Sequence, residues 1–259
     1  MDEAPILTER VGDHVAVVTL NRPQARNAVD PALTRGLASA LARTEADAAI
    51  RAVVLAGAPC GVFCAGADLK VVAAGRADDL WTPEGGFAGF VHARRAKPWI
   101  AAVDGPALAG GCEIALACDL IVAGEGSDFG LPEVRRGLIA AAGGLYRLPR
   151  ALPRAVALEM ILTGAPLDAP RAHALGLVNR VVPAGLAQEE AVALALTIAA
   201  NAPLAVRESL AVARLASDAD EAALKAASAA ARARIQSSED YREGPRAFVE
   251  KRPPRWTGR

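Results

Sequence analysis

Short apolar runs alternate with amphipathic segments in the first half of the chain. The runs have the length and the β-branched content of buried strands, and they are HVAVVTL (14–20), RAVVLAG (51–57), PWIAAVDG (98–105) and LIVAG (120–124). The segment that opens at Pro31 places Leu33, Leu37 and Leu41 on one stripe and predicts a helix, as does GCEIALACD (111–119). Strand, helix and strand at this spacing indicate right-handed parallel crossovers, so we expect an α/β fold.

The pattern changes after about residue 140. Helical stretches broken by Gly and Pro lead to one last short strand, LVNRVVP (177–183), and from residue 186 onward the chain is Ala-rich, amphipathic and helical. A helix pair with small-residue faces could pack against another subunit or only on its own core, and the pattern favours neither.

Composition and charge narrow the classes of function. The chain has 29 acidic and 29 basic residues, which argues against general nucleic-acid binding. The start MDEAPILTER lacks the pattern of a signal or transit peptide, and no run of 18 uncharged apolar residues suggests a membrane span. The cysteines show no ligand spacing, so we expect reduced thiols in a cytoplasmic protein without a metal site. They are Cys60, Cys64, Cys112 and Cys118.

Two glycine-containing segments could present free backbone N–H groups. In GVFCAGADLK (61–70), a strand ends and runs into a small-residue turn that permits close approach of a ligand. In DGPALAGGCE (104–113), Gly110 and Gly111 stand where a loop enters a helix, and an N–H group there can hold negative charge. Glu113 lies in the first turn of that helix. Taken alone, it is better explained as a carboxylate favoured by the helix dipole.

A second carboxylate, Glu133, lies in DFGLPEVRRG (128–137), and GGLYRL (143–148) is another glycine-led helix start. Taken alone, Glu133 is better explained as a surface partner of Arg135 or Arg136. Two carboxylates and two backbone donors could nevertheless meet around one polarised carbonyl. One carboxylate would then activate water while the other handles a proton on the α-carbon, whose acidity depends on the two N–H groups.

Six segments together resemble successive blocks of the crotonase superfamily over about residues 15–259. They are VTLNRPQARNAVD, VFCAGADLK, KPWIAAVDGPALAGGCEIALACDLIVA, FGLPEVRRGLIAAAGGLYRL, GLVNRVVP and EGPRAFVEKR. The resemblance implies a spiral of ββα units over residues 1–190 and a C-terminal helical oligomerisation region over 191–259. It also implies trimers that can pair into hexamers. The implied substrate is an acyl-CoA thioester, with no metal and no redox cofactor.

The resemblance also implies roles for individual residues. Ala67 and Gly110 match the two oxyanion-hole N–H positions, and Glu113 and Glu133 match the hydratase pair of acid/base glutamates. The turn around Ala67 would line the path of CoA and the acyl group through Ala65, Asp68, Leu69 and Lys70. At the other end of the chain, Phe248 and Lys251 match a segment that can reach a neighbouring subunit's CoA, although a solvated basic tail would look alike.

Both glutamates favour a hydratase that adds water reversibly, with syn geometry, to a 2-enoyl-CoA. A Δ3,Δ2-enoyl-CoA isomerase and a non-catalytic acyl-CoA-binding trimer are alternatives. GGFAGF (85–90) and the C-terminal end are also similar to the carnitinyl-CoA dehydratase branch, whose substrate carries a trimethylammonium group. For that cation, residues 76–95 offer aromatic rings and carboxylates, which are Trp81, Phe87, Phe90, Asp78, Asp79 and Glu84. The other interpretation of this stretch is a mobile lid over an ordinary acyl chain.

Departures from the family pattern concern the shape of the acyl pocket. A typical hydratase has Pro-Gly where this chain has Ala140 and Ala141, and Thr-Gln where it has Leu145 and Tyr146. Ala109 replaces the first glycine of the usual Gly-Gly-Gly, while the donor position Gly110 is retained. We therefore expect a changed pocket around unchanged chemistry.

Overall fold

Two sheets at the centre of the molecule are surrounded by helices in the computed structural model, which describes residues 4–259. The strands of this described part are, in chain order, β1 (Ile6–Val11), β2 (Val15–Leu20), β3 (Ala52–Gly57), β4 (Trp81–Thr82), β5 (Gly86–Phe87), β6 (Trp99–Val103), β7 (Ala107–Leu108), β8 (Leu120–Gly124), β9 (Asp128–Gly130), β10 (Leu167–Asp168) and β11 (Arg180–Val182). Its helices are α1 (Pro31–Ala46), α2 (Leu69–Ala73), α3 (Gly110–Ala117), α4 (Gly144–Ala151), α5 (Arg154–Thr163), α6 (Ala169–Ala174), α7 (Ala187–Ala199), α8 (Pro203–Leu215), α9 (Glu221–Gln236) and α10 (Glu239–Val249).

The larger sheet has the strand order β1-β2-β3-β6-β8-β11. Only β1 and β2 pair antiparallel, and every other neighbouring pair is parallel. The smaller sheet, β10-β9-β7, forms beside it from short strands that follow the larger ones along the chain. This succession of strand pairs and helices confirms the α/β fold that the sequence predicts and agrees with the spiral of ββα units that the resemblance implies.

Both faces of the larger sheet are covered, which explains why its central strands are continuously apolar. One face packs under α1 and α3, and the other packs under α7. Helix α7 approaches closely because the side chains on its inner face are small, namely Ala187, Ala191, Ala195 and Ala199. The domain boundary expected between residues 190 and 191 therefore falls inside a helix that completes the core, and the outlying helical region begins at Pro203.

Helices α8, α9 and α10 lie outside this core and bury few side chains against the rest of the chain. Within residues 4–259, no single helix is long and apolar enough to cross a membrane. Only α7 and α8 taken together meet that criterion by length and composition, and they are bent by 109° relative to each other.

Two details differ from the sequence prediction. The polar strand β1, which forms the sheet edge with four exposed positions, gave no apolar pattern and was missed. The strand expected to end within residues 61–70 does not form. Strand β3 ends at Gly57, as RAVVLAG (51–57) predicts, and the chain then runs as a loop held by single bridges. All four cysteines are free, as expected. Burial raises the pKa of Cys64 and of Cys118 to about 12, so both thiols stay protonated.

Candidate active site

The N–H group of Ala67 is turned away from the chain that supports its loop. A parallel bridge joins Val29 to Ala67, in which the Val29 N–H donates to the Gly66 carbonyl at 2.8 Å and the Asp68 N–H donates to the Val29 carbonyl at 2.8 Å. This pattern uses the backbone groups on both sides of Ala67 and leaves its own N–H on the opposite side. Ala67 lines a cavity, so its N–H is available to a ligand.

Asn27 fixes this loop from behind. Its side chain is fully buried, and its Nδ2 donates to the carbonyls of Ala58 at 3.0 Å and Val62 at 3.1 Å. Its Oδ1 accepts a 3.1 Å hydrogen bond from the backbone N–H of Arg22. A buried amide with these partners is costly to displace, so the loop that carries Ala67 is held on a rigid frame.

Asp68 belongs to the same frame rather than to the cavity. Its carboxylate accepts a 3.1 Å hydrogen bond from the Lys70 N–H, which caps α2, and lies 3.2 Å from the guanidinium of Arg22. Arg22 also contacts the carboxylate of Asp30 at 3.2 Å. The sequence interpretation placed Asp68 along the CoA and acyl path, whereas the structure gives its side chain a scaffolding role.

Gly110 begins α3, and its N–H therefore has no acceptor inside the helix. An added Cβ at Gly110 would lie 2.4 Å from Cε1 of Phe87, and one at Gly111 would lie 2.1 Å from the carbonyl oxygen of Cys64. On the facing loop, a Cβ at Gly66 would lie 2.8 Å from the backbone nitrogen of Gly110. Only glycine permits this contact between the two loops, which brings both backbone donors to one cavity wall.

Glu113 lies one turn into α3 and is 3% exposed. Its Oε1 accepts a 2.9 Å hydrogen bond from the backbone N–H of Gly144 at the start of α4. Burial, with a smaller contribution from the nearby Glu133, raises the pKa of Glu113 to about 7 against the opposing effect of the Gly144 N–H. A carboxyl group with this pKa exchanges protons readily at neutral pH.

Glu133 lies on a short 3₁₀ helix, Pro132–Arg136, and is 8% exposed. Burial raises its pKa, and the positive charge of Arg136 partly offsets this. Its Oε2 is buried and makes no hydrogen bond to any residue of the described range 4–259. Because a buried carboxylate oxygen needs a partner, this atom is available to a bound water or substrate.

One cavity of about 500 Å³ contains both glutamates and both backbone donors. Of the predicted substrate-binding residues, Ala65 and Leu69 also line it. The remaining wall is mostly apolar and is formed by Val72, Ala77, Leu80, Trp81, Phe87, Leu108, Pro132, Leu138, Ile139, Ala141 and Ala142. The cavity therefore combines a polar reaction centre with room for an apolar chain.

Three predicted contacts lie elsewhere in this chain. Lys70 is an exposed residue of α2 that does not line the cavity. Phe248 is 85% exposed near the end of α10, and Lys251 is exposed just beyond it. Their proposed contact with CoA held by a neighbouring subunit stays a prediction.

The variable stretch 76–95 contributes aromatic residues to the cavity and leaves its acids outside. Trp81 and Phe87 pair edge to face across the β4–β5 hairpin, with ring centroids 5.8 Å apart, and both line the cavity. The carboxylates that could attract a cation are exposed and do not line it, namely Asp78, Asp79 and Glu84. Residues 85–91 are buried, and of these Phe87 lines the cavity.

Sequence reasoning missed two basic residues at the cavity, Arg26 and Arg136. Arg26 adopts a left-handed backbone conformation with φ of 53° directly before Asn27. A turn of this kind gives no pattern that identifies where its side chain points. Arg136 follows Glu133 by three residues, a spacing that brings both side chains to neighbouring positions on a short helix.

Comparison with known proteins places the fold and the motifs in a family. Residues 10–259 match the family model described as enoyl-CoA hydratase/isomerase. The chain is similar to a carnitinyl-CoA dehydratase of Proteus mirabilis, with 40% identity over 95% of each chain. It is also similar to the enoyl-CoA hydratase EchA19 of Mycobacterium tuberculosis, with 39% identity over 98% of this chain and 96% of the relative.

Solved structures agree with this assignment. The crystal structure of an enoyl-CoA hydratase from Mycobacterium tuberculosis superposes with a TM-score of 0.94 and 45% identity, covering 99% of this chain and 100% of the other. The matches span both sheets, the cavity and the C-terminal helices. The chain belongs to the enoyl-CoA hydratase/isomerase family.

Proposed function

We propose that this protein is an enoyl-CoA hydratase that adds water reversibly to the Cα=Cβ bond of a 2-enoyl-CoA thioester. One observation carries the proposal. Glu113 and Glu133 are both buried with raised pKa values and line the same cavity as the backbone donors of Ala67 and Gly110. Two neighbouring carboxyl groups of raised pKa can share one proton near neutral pH, which supplies a base and an acid together.

In the proposed mechanism, the thioester carbonyl accepts hydrogen bonds from the N–H groups of Ala67 and Gly110. This withdraws electrons from Cβ and stabilises the enolate that forms when water attacks. Glu113 accepts a proton from the attacking water as the C–O bond forms at Cβ, and Glu133 donates a proton to Cα on the same face. The pair regains its shared proton from the water, so hydration is balanced and the reverse reaction uses the same groups.

The proposed reaction requires no cofactor besides the substrate's own coenzyme A. Addition of water changes no net oxidation state, and the two backbone donors supply the electrophilic stabilisation that a metal would otherwise provide. The acyl-CoA is therefore both the ligand and the only small-molecule partner that we propose.

We propose an apolar acyl chain for the substrate. The cavity wall beyond the glutamates is largely aliphatic and aromatic, and its basic residues, Arg26 and Arg136, would repel a trimethylammonium group. A carnitinyl-CoA dehydratase is the second candidate, because a relative of that name is 40% identical and because Trp81 and Phe87 offer aromatic faces to a cation.

The experiment is to compare crotonyl-CoA, crotonobetainyl-CoA and a 3-enoyl-CoA as substrates of the purified protein. We expect loss of the conjugated-thioester absorbance with crotonyl-CoA at a higher kcat/KM than with crotonobetainyl-CoA. A higher kcat/KM for crotonobetainyl-CoA would instead support the carnitinyl branch. Conversion of the 3-enoyl-CoA without hydration would identify an isomerase, and CoA binding without any turnover would identify a non-catalytic acyl-CoA-binding protein.

We further propose a homotrimer or a dimer of trimers in the cytoplasm. Large apolar side chains remain exposed on the C-terminal helices, including Leu215, Phe248 and Val249, and a subunit contact would bury them. Four free thiols suit a reducing compartment. Sedimentation analysis of the wild type and of Phe248→Ser tests the assembly, and a monomeric wild type would contradict it.

A further inference from the structure

Arg147 lies on α4, the helix whose first N–H binds the carboxylate of Glu113. Its guanidinium donates a 3.1 Å hydrogen bond to the carbonyl oxygen of Ala142 and a 2.5 Å hydrogen bond to that of Val91. One planar side chain therefore joins two segments that are far apart in sequence.

Each of these segments supports a part of the reaction centre. Ala142 lines the cavity and lies two residues before Gly144, the donor to Glu113. Val91 ends the buried segment that includes Phe87, whose ring rests against Gly110. The position of the Arg147 guanidinium therefore affects the partner of Glu113 and the packing behind Gly110 together.

The fit of Arg147 beneath the turn is close. An added Cβ at Gly143 would lie 2.0 Å from Nη1 of Arg147, and the φ angle of Gly143 is 115°. The φ angle favours glycine, and any side chain at position 143 would displace the guanidinium. The turn before α4 is thus built around the arginine.

The hydrogen bonds of the Arg147 guanidinium go to neutral carbonyls rather than to a carboxylate. Burial has the largest effect and raises the pKa of Glu113, the Gly144 N–H lowers it, and the charge of Arg147 also acts to lower it. Glu113 faces one like charge, Glu133 on the 3₁₀ helix, and one opposite charge, Arg147 on α4. The adjacent Cys112 on α3 is a protonated thiol, since burial raises its pKa.

We infer that Arg147 is a positioning residue for Glu113. It holds the turn that carries Gly144, the backbone partner of Glu113, and places a positive charge near the carboxylate. The inference builds on the hydratase function proposed above. Arg147 does not line the cavity with the glutamates, so it acts through Glu113 rather than on the substrate.

The test separates charge from attachment with three variants. Arg147→Met removes both the charge and the donors, Arg147→Lys keeps the charge but loses the fork, and Tyr146→Phe is the matched control. Tyr146 is the adjacent residue, and its hydroxyl lies 3.1 Å from Nε2 of His92, so the control weakens the attachment to the same segment without touching the charge. The pKa of Glu113 is read by infrared titration of its protonated carboxyl band, assigned by loss of that band in Glu113→Gln.

We expect Arg147→Met to raise the pKa of Glu113 and to move the pH profile of kcat/KM for crotonyl-CoA to higher pH. Arg147→Lys should keep the wild-type profile but lower kcat by about tenfold, because one ammonium group cannot hold both carbonyls. Tyr146→Phe should leave the pKa of Glu113 and the pH profile of kcat/KM unchanged.

An unshifted carboxyl band in folded Arg147→Met would overturn the inference, as would an equal shift in Tyr146→Phe. The infrared readout needs no turnover, so the inference is tested even if crotonyl-CoA is not a substrate. Absence of hydration by the wild type would count against the proposed function alone.

Discussion

The backbone N–H of Gly144 holds Oε1 of Glu113 at 2.9 Å, although 31 residues of chain separate them. The hydrogen bond joins the first turn of α3 to the first residue of α4, so the carboxylate is oriented by two helix N-termini at once. Burial outweighs this favourable contact and raises the pKa of Glu113 to about 7. The fold thus gives one oxygen a fixed partner and the group a pKa suited to proton exchange.

Replacing either glutamate by glutamine should abolish most of the proposed hydration. Glutamine keeps the shape but cannot exchange the proton, and general acid–base catalysis of this kind contributes about 10²- to 10⁴-fold to the rate. We expect kcat for crotonyl-CoA to fall by that factor in Glu113→Gln and in Glu133→Gln, measured by steady-state kinetics. Calorimetric binding of CoA is the control and should be unchanged. Retention of most activity by either variant would show that the role assigned to that residue is wrong.

Gly110→Ala should remove activity by displacing a backbone donor. The new Cβ would lie 2.4 Å from the ring of Phe87, so the start of α3 or the ring must move. Loss of one oxyanion-hole donor costs about 10²- to 10³-fold in kcat, and the double variant Gly110→Ala/Phe87→Leu should recover part of it by making room.

Gly126→Ala is the matched control for this steric argument. An added Cβ at Gly126 meets no atom within 4 Å, so activity and melting temperature should stay near those of the wild type. Wild-type kcat in Gly110→Ala would contradict the donor role of Gly110.

The sequence predicted those parts of the site that depend on local pattern. Gly110 and Glu113 lie in one helix start, and the helix begins where the glycines indicated. Other features of the site depend on contacts between distant segments. The resemblance predicts Asp68 along the ligand path, and its side chain pairs with Arg22, 46 residues earlier in sequence. Contacts between distant segments leave no local periodicity, so they became visible only in the fold.

The strands, too, were predictable only where their own sequence has a local pattern. The central strands, buried on both faces, were apolar enough to recognise, and β6 is buried at all five positions. The edge strand β1 has a polar pattern and depends on pairing with β2 to form. Its structure is therefore set by a tertiary contact that its own sequence does not encode.

Ala109→Gly should stabilise the protein. Ala109 has φ of 52° and ψ of −129°, a conformation that strains a residue with a Cβ and that glycine adopts freely. Relief of about 1–3 kcal/mol of strain exceeds the roughly 0.5–1 kcal/mol that glycine loses in the unfolded chain. We expect a net gain of about 1 kcal/mol and a melting temperature higher by roughly 2–4 °C, measured by calorimetry.

Ala107→Gly, on the buried strand β7, is the control for this prediction. Its backbone is not among the residues of positive φ in the described chain, so glycine should relieve nothing there and lower the melting temperature. A lower melting temperature in Ala109→Gly as well would show that the strain at Ala109 is not significant.

Glu113→Gln should raise the free energy of unfolding although it lowers activity. The gain in stability should be present only at pH values above the ordinary pKa of a glutamate. The folded-state pKa of about 7 lies above the ordinary value of 4.5, so the folded protein binds more protons than the unfolded chain between these values. The free energy of unfolding therefore falls as the pH rises through that window. A rise of the pKa from 4.5 to about 7 corresponds to a cost of about 3 kcal/mol when the group is fully ionised.

Thermal unfolding of the two proteins at pH 4.5 and pH 8 measures this cost. The melting temperatures should be similar at the lower pH, where Glu113 is protonated in the folded protein and no charge is buried. At the higher pH, Glu113→Gln should melt well above the wild type, because it removes the buried charge but keeps the side chain's shape. The exposed Glu84 is the matched control. Glu84→Gln should leave the change in melting temperature between the two pH values as it is in the wild type. The same difference in melting temperature between wild type and Glu113→Gln at both pH values would mean that Glu113 does not have a raised pKa. The proposed sharing of a proton with Glu133 would then lose its basis.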